Sequence, residues 1–544
     1  MTSRPIVFSG GPILTMADPL RVEAMTIMDD RIIVVGSLED CRTVAGADRV
    51  EHDLAGRTLI PGFVDAHCHP LMLGQTQSWL DVSPAVAPSI PALIARLKDQ
   101  ARRLPPGVPL RAFGYDYRRL DERRHPRARD LDQAATDREI YVMNVSGHGG
   151  SINSFGLVAH GITAATPDPR GGEIGRYPDR TPNGLLWDAA CDLLTGDDGV
   201  KIGNHGPNIH LPELPDVAAR QLDHALDQFL KAGITTVVDA QVSRREAEAY
   251  IAARDLGRLP VRVNMLVISA LLDEVLQLGL VGRLGDERLA FTGIKLYADG
   301  ALGGLTAYFP DGYVSEPDNH GVLYHEPDEF RALVSRAHRA GLQTGTHAQS
   351  PTAIGMVIDA LDAAQREWPR PDMRHAIEHC GLPSDDEIAR MARAGIVPVS
   401  QPQHHRSFGD GVARTVGDVL TQRLNPIGLY ARAGMPIVLS SDAPVAVPRP
   451  LEAVQAAVDR QTVGGAVLGG AELRIDVLTA LRGYTIGGAY RAHREKVIGS
   501  LEPGKFADLA MLAADPLSVP VAELGSIEVE ETWIAGRLVG TAVA

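Results

Sequence analysis

Eight short runs rich in apolar and β-branched residues recur along the middle of the chain, and this recurrence limits the fold more than any other feature. They are Phe63–His69, Ile234–Ala240, Val261–Ile268, Thr292–Ala298, Gln343–Ala348, His375–Cys380, Val397–Gln401 and Ile437–Asp442. Continuous apolar runs mark strands buried on both faces, which belong to parallel sheets covered by helices. The stretches between them are amphipathic. Asp328–Ala340, for example, places Phe330, Leu333 and Val334 on one helical side. Eight strands alternating with helices predict an α/β chain built on a (β/α)8 TIM-type barrel, here over residues 61–484.

The gap between the first and second runs is far too long for one crossover, so residues 75–215 read as an insertion. It contains an apolar run, Ile140–Val145, and then the Gly/His-rich segment Ser146-Gly147-His148-Gly149-Gly150. A loop after a barrel strand opens on the catalytic face, so the insertion is expected to cap a site there. Both chain ends are rich in short β-type runs: Pro5–Phe8, Ala24–Met28 and Arg31–Gly36 at one, Asp508–Leu512 and Val529–Val539 at the other. Asp29-Asp30 supplies an acidic hairpin turn. Residues 1–60 and 485–544 are therefore expected to pair into one small composite β-sandwich domain.

A formal charge of −15 argues against nucleic acid or an anionic membrane as partner, since either needs a clustered cationic face, and favours a small-molecule substrate. The four cysteines, Cys41, Cys68, Cys191 and Cys380, form no CxxC pair, which points away from a disulfide framework and toward a reducing cytoplasm. The opening residues show no apolar run of signal-peptide length, and no window reaches the length of a spanning helix.

Chemistry concentrates at the ends of the predicted strands. In Phe63-Val64-Asp65-Ala66-His67-Cys68-His69, residues two apart share a face, so His67 and His69 both point to the barrel axis, with Asp65 one step deeper as a candidate acceptor for an imidazole. His347, His379 and Asp442 end three later runs, and burying such groups unpaired costs several kcal/mol, so together they call for a ligand. Lys295 lies mid-run in Gly293–Gly300. It is either a buried salt-bridge partner of Asp299 or Asp239, or a deprotonated amine that has added carbon dioxide to become an anionic carbamate. His148, Tyr115 and Gln403 are candidate substrate contacts, with Asp116 beside Tyr115; of Gln403, His404 and His405, which follow the seventh run, one is expected to face the site and the others to be solvated, and the charged stretch around Arg118–Arg124 reads as a self-paired surface.

The motifs as a set resemble the amidohydrolase superfamily, in particular its long, insertion-bearing subgroup resembling N-substituted formamide deformylase. The resemblance runs nearly end to end, through Leu59–His69, Gly233–Val237, Ile294–Leu302, Ile377–His379, Ser441–Val445 and Gly499–Leu509. It implies that His67 and His69 hold a more buried metal, that His347 and His379 hold a more exposed one, that carbamylated Lys295 bridges two ions, and that Asp442 reaches the buried metal. A metal-activated hydroxide would then attack a carbonyl while Asp442 carries the proton to the leaving amine. Zinc suits the ligands, with iron, manganese or cobalt as alternatives, and a homodimer is the family-like assembly. The chain departs from the family pattern after His347, where it has Ala348-Gln349-Ser350-Pro351, and at Gly147–Ser151, which lacks the usual aromatic residue.

The reading is thus a metal-dependent hydrolase of a non-peptide C–N bond in an amide, formamide or cyclic amide. A metal-dependent decarboxylase on the same site and a non-catalytic, metal-stabilised small-molecule-binding protein are the competing readings.

Overall fold

The computed structural model describes residues 4–197 and 199–541. Its central sheet is an eight-stranded parallel barrel in sequential order: β1 (Phe63–Cys68), β2 (Ile234–Val242), β3 (Arg262–Ile268), β4 (Leu289–Tyr297), β5 (Gln343–Ala348), β6 (Ala376–His379), β7 (Val397–Ser400) and β8 (Val438–Leu439). A short antiparallel strand, Leu284–Gly285, hangs from β4. All eight predicted runs are strands, but β6, β7 and β8 are shorter than their apolar runs. The tips of β7 and β8 run past the hydrogen-bonded ladder and carry Gln401 and Asp442.

β1 and β8 meet only at those tips, where the Asp442 amide donates to the His67 carbonyl and the His69 amide to the Ala443 carbonyl, each at 2.8 Å. The helix Pro327–Arg339 buries Phe330 and Val334, while Leu333 packs part-buried beside them.

The region inserted after β1 has its own six-stranded sheet, in spatial order Gly172–Arg176, Pro182–Asp188, Gly149–Ile152, Ile140–Asn144, Leu110–Tyr115 and Leu80–Asp81. It carries two apolar cores, one around Tyr141, Met143, Ile152 and Leu186 and the other around Leu93, Leu97, Leu110 and Val142.

At the chain ends, a four-stranded sheet (Arg31–Gly36, Ala24–Met28, Ile6–Ser9, Val50–Asp53) faces a six-stranded one. The latter joins Thr58–Pro61 and two short N-terminal strands to Leu509–Leu512, Val529–Ile534 and Arg537–Thr541. Phe8, Met25, Ile27, Leu59, Leu509, Met511 and Trp533 fill the space between. The C-terminal contribution to these sheets starts at Leu509, later than the sequence boundary at 485, because the preceding turns pack on the barrel: a Cβ at Gly488 would meet Val64 at 2.8 Å, and Arg491 enters the barrel interior. The extreme ends, 1–3 and 542–544, lie outside the described residues. Among the described residues no helix is long and apolar enough to cross a membrane, and all four cysteines are free and buried.

Candidate metal centre

The barrel brings four imidazoles onto one carboxylate. Asp442 Oδ1 lies 3.4 Å from His67 Nε2 and 3.2 Å from His69 Nε2, and Oδ2 lies 3.4 Å from His404 Nε2 and 3.9 Å from His379 Nδ1. The ligand atoms of His67, His69 and Asp442 lie within 4.8 Å of one another, as do those of His379, His404 and Asp442. His347 stands beside them, its ring centroid 4.4 Å from that of His379, with Nε2 donating to the Gly300 carbonyl at 3.1 Å. The parallel register accounts for this. Tyr297 of β4 lies opposite His347 of β5, and Ala348 opposite His379 of β6, so the tips end in one plane.

His379 and Asp442 both have left-handed backbones, φ 69° and 59°, as does Cys380 at 47°. Non-glycine residues rarely adopt this conformation, and where they do the fold holds them there, often at functional sites. Here it has a geometric result. In a regular strand Glu378 and His379 would face opposite sides; the turn at His379 lets both reach the interior. Glu378 is fully buried, with Oε2 2.7 Å from His67 Nδ1 and Oε1 accepting from Arg491 Nη2 at 2.8 Å, while Arg491 Nη1 donates to Gln343 at 2.6 Å. The acceptor that orients His67 is therefore Glu378, from across the barrel. Asp65 is committed elsewhere, accepting from the Ser441 amide at 3.0 Å and the Ser441 hydroxyl at 2.5 Å.

Lys295 has no exposed surface, and its Nζ has no hydrogen-bond partner; it lies 4.5 Å from the Tyr297 ring centroid. Neither proposed salt-bridge partner serves it. Asp239 is held by the Tyr250 hydroxyl and the Gln241 amide, and Asp299 by the amides of Gln349, Ser350 and Tyr308. Burial pulls the Lys295 ammonium down to about 8, against the opposing pull of Glu378 and Asp442. Burial likewise holds His347 and His379 well below the usual imidazole range, leaving neutral rings with lone pairs to offer. Burial pushes the Asp442 carboxyl up, but the imidazoles of His404, His67 and His69 outweigh it and hold the group well below its ordinary value.

A profile of the amidohydrolase family matches residues 50–540. The chain belongs to the amidohydrolase family. It is accordingly a hydrolase of carbon–nitrogen bonds. Among its relatives, N-substituted formamide deformylase of Arthrobacter pascens is 28% identical over 95% of this chain and 94% of its own, and the protein LONG AFTER FAR-RED 3 of Arabidopsis thaliana is 27% identical over 98% and 91%. In fold, the chain resembles a metal-dependent hydrolase from Pyrococcus horikoshii with a TM-score of 0.76 at 24% identity, covering 96% of this chain and 99% of that one.

In this amidohydrolase the candidate ligands open onto a cavity of about 880 Å³, counting its mouth. The inserted region contributes Arg118, Val145, Ser146, Gly147 and His148 to its wall. His148 donates through Nδ1 to Asp188 at 2.8 Å, and Asp188 also accepts from the Tyr324 hydroxyl at 2.7 Å. Tyr115 and Gln403 do not line the cavity. Tyr115 is buried in the core of the cap, its hydroxyl 3.0 Å from His125 Nδ1, and Gln403 is buried within the helix Pro402–Val416. From that helix it is His404 that reaches the site, while His405 bonds the Ala456 carbonyl at 2.9 Å. Arg118, read from sequence as solvated surface, faces the cavity instead. Helical spacing alone does not tell His404 from its neighbours, because all depend on how the helix leaves β7.

Proposed function

We propose that this amidohydrolase is metal-dependent and hydrolyses an amide, formamide or cyclic amide, with His67, His69, Lys295, His347, His379 and Asp442 as metal ligands. One observation carries the reading: imidazoles, a carboxylate and an unpartnered buried lysine converge at one end of the barrel around a roofed cavity. The donor set fits a divalent cation, since nitrogen and carboxylate oxygen ligands suit zinc best, then iron, manganese or cobalt. The unpartnered Nζ of Lys295 fits a second. As a neutral amine it would add carbon dioxide, forming an N–C bond and releasing a proton, and the resulting carbamate would supply anionic oxygen ligands to a divalent cation.

A divalent cation bound here supplies an acidified water and polarises the substrate carbonyl. The chain's own residues do the rest. Asp442 takes the proton of the attacking water on its carboxylate and returns it to the leaving nitrogen. Glu378 fixes the tautomer and orientation of His67, and His148, held through Nδ1 by Asp188, presents Nε2 to the substrate. The cap excludes bulk water, which strengthens each of these interactions.

Metal analysis of freshly purified protein, paired with a panel of N-formyl, N-acyl and cyclic amides, tests the reading. One or two bound ions per chain and turnover of at least one class are expected, with Asp442→Asn keeping most of the metal and losing turnover by about 1000-fold or more. Full hydrolysis by metal-free protein, or unaltered activity in Asp442→Asn, would sink it.

A further inference from the structure

We propose that Arg118 reads the far end of the substrate, and that the group it reads is an uncharged oxygen acceptor, such as a ketone carbonyl, separated from the scissile bond by an apolar spacer. The proposal rests on the hydrolase reading above for what is cleaved, and on separate observations for what is recognised. Arg118 follows the cap strand Leu110–Tyr115, lines the same cavity as the candidate ligands, and its side chain is only 10% exposed. Asp116 pins it. The Arg118 Nε donates to Oδ1 at 2.8 Å, Nη2 to Oδ2 at 2.9 Å, and the Arg118 amide to Oδ1 at 3.1 Å.

Those bonds occupy one edge of the guanidinium. Nη1, on the other edge, is buried and has no hydrogen-bond partner. Leaving such a donor unsatisfied costs about 1–3 kcal/mol, so an orphan N–H on a side chain that lines the cavity marks the place of a ligand's acceptor. Gly303 and Gly411 frame it: a Cβ at either would sit 3.5 or 3.7 Å from Nη1, and no side chain there covers it.

Charge balance selects the acceptor. Asp116, itself 8% exposed on its side chain, already neutralises Arg118. A substrate carboxylate would leave a net buried negative charge, whereas a carbonyl saturates Nη1 and adds none. Leu302, Phe408, Val412 and Leu424 wall the same cavity and suit a hydrocarbon spacer.

The test uses the full-length protein as purified and N-formyl alkylamines of one length ending in a methyl ketone, a plain alkyl group or a carboxylate. Both kcat/KM and the calorimetric Kd are read. In the wild type the ketone should exceed the alkyl compound by about ten- to hundred-fold, and in Arg118→Met that ratio should fall to about one. Asp116→Asn, which leaves Arg118 charged, should shift preference toward the carboxylate. An equal ketone-to-alkyl ratio in wild type and Arg118→Met would overturn the proposal, as would a wild type that prefers the carboxylate or an Asp116→Asn variant with unshifted preference. If no compound is turned over, formamides are excluded as the scissile group, while the Kd ratios still decide the role of Arg118.

Discussion

Glu378 does its work through His67. A carboxylate 2.7 Å from Nδ1 keeps the proton on that nitrogen and aims Nε2 at Asp442, and Arg491 in turn keeps Glu378 ionised beneath the barrel floor. Burial raises the Glu378 carboxyl, but His67 and Arg491 outweigh it and hold the group well below the usual carboxylate range. Outer partners of metal-ligating histidines are worth about 10–100-fold in metal affinity. Glu378→Ala should therefore lose metal to a chelator at concentrations that leave the wild type loaded, and unchanged retention would refute the role. The pair of imidazoles was legible at the residue scale, because two histidines two apart on an apolar run share a face. Their true partner was not. Asp65 is near in sequence, but hydrogen-bond reach across a closed barrel is set by which strands stand opposite each other.

Among the elements, the helix Pro70–Ser78 continues directly from His69 and packs on the helix Pro215–Lys231. The contact is close because position 74 is glycine: a Cβ there would land on the Gln221 carbonyl, backbone that has no rotamer to yield. Gly74→Ala should push the two helices apart and cost about 1–3 kcal/mol, with part of the displacement passed to His69. Chemical denaturation and metal content read the two effects; a variant with wild-type values of both would show that the contact is soft. The strands themselves were readable from continuous apolar runs. Their ends were not, since β8 is only Val438–Leu439 and Asp442 reaches the site through a left-handed turn that no periodicity announces.

At the scale of the molecule, the terminal sheets are tied to the barrel by a buried pair, Arg262 Nε donating to Asp508 at 2.6 Å and Nη2 at 3.0 Å, both side chains 3% exposed. Asp508 also accepts from the Ala535 amide at 2.8 Å. Asp508→Ala would strand a buried guanidinium and should cost about 3–5 kcal/mol, measured as a lowered denaturation midpoint; a shift of a few tenths of a kcal/mol would contradict it. The cap carries an acid-sensitive joint of its own. Burial raises the Glu139 carboxyl, but the hydrogen bond with His160 and the Arg111 guanidinium prevail and hold it down to about 2. A depressed carboxyl stabilises the fold above its unfolded pKa and loses that contribution as pH falls toward 2, here roughly 3 kcal/mol in all. The stability gap between the wild type and Glu139→Gln should thus shrink by about half near pH 3, and a pH-independent gap would exclude the linkage. Sequence alone determined the barrel, because burial pattern and spacing are local properties of the chain. Only tertiary structure decided that Glu378 rather than Asp65 orients His67, that His404 rather than Gln403 meets Asp442, and that Arg118 faces the cavity. Each of these depends on contacts between segments far apart in the chain, whose approach is set by barrel closure and by the docking of the cap.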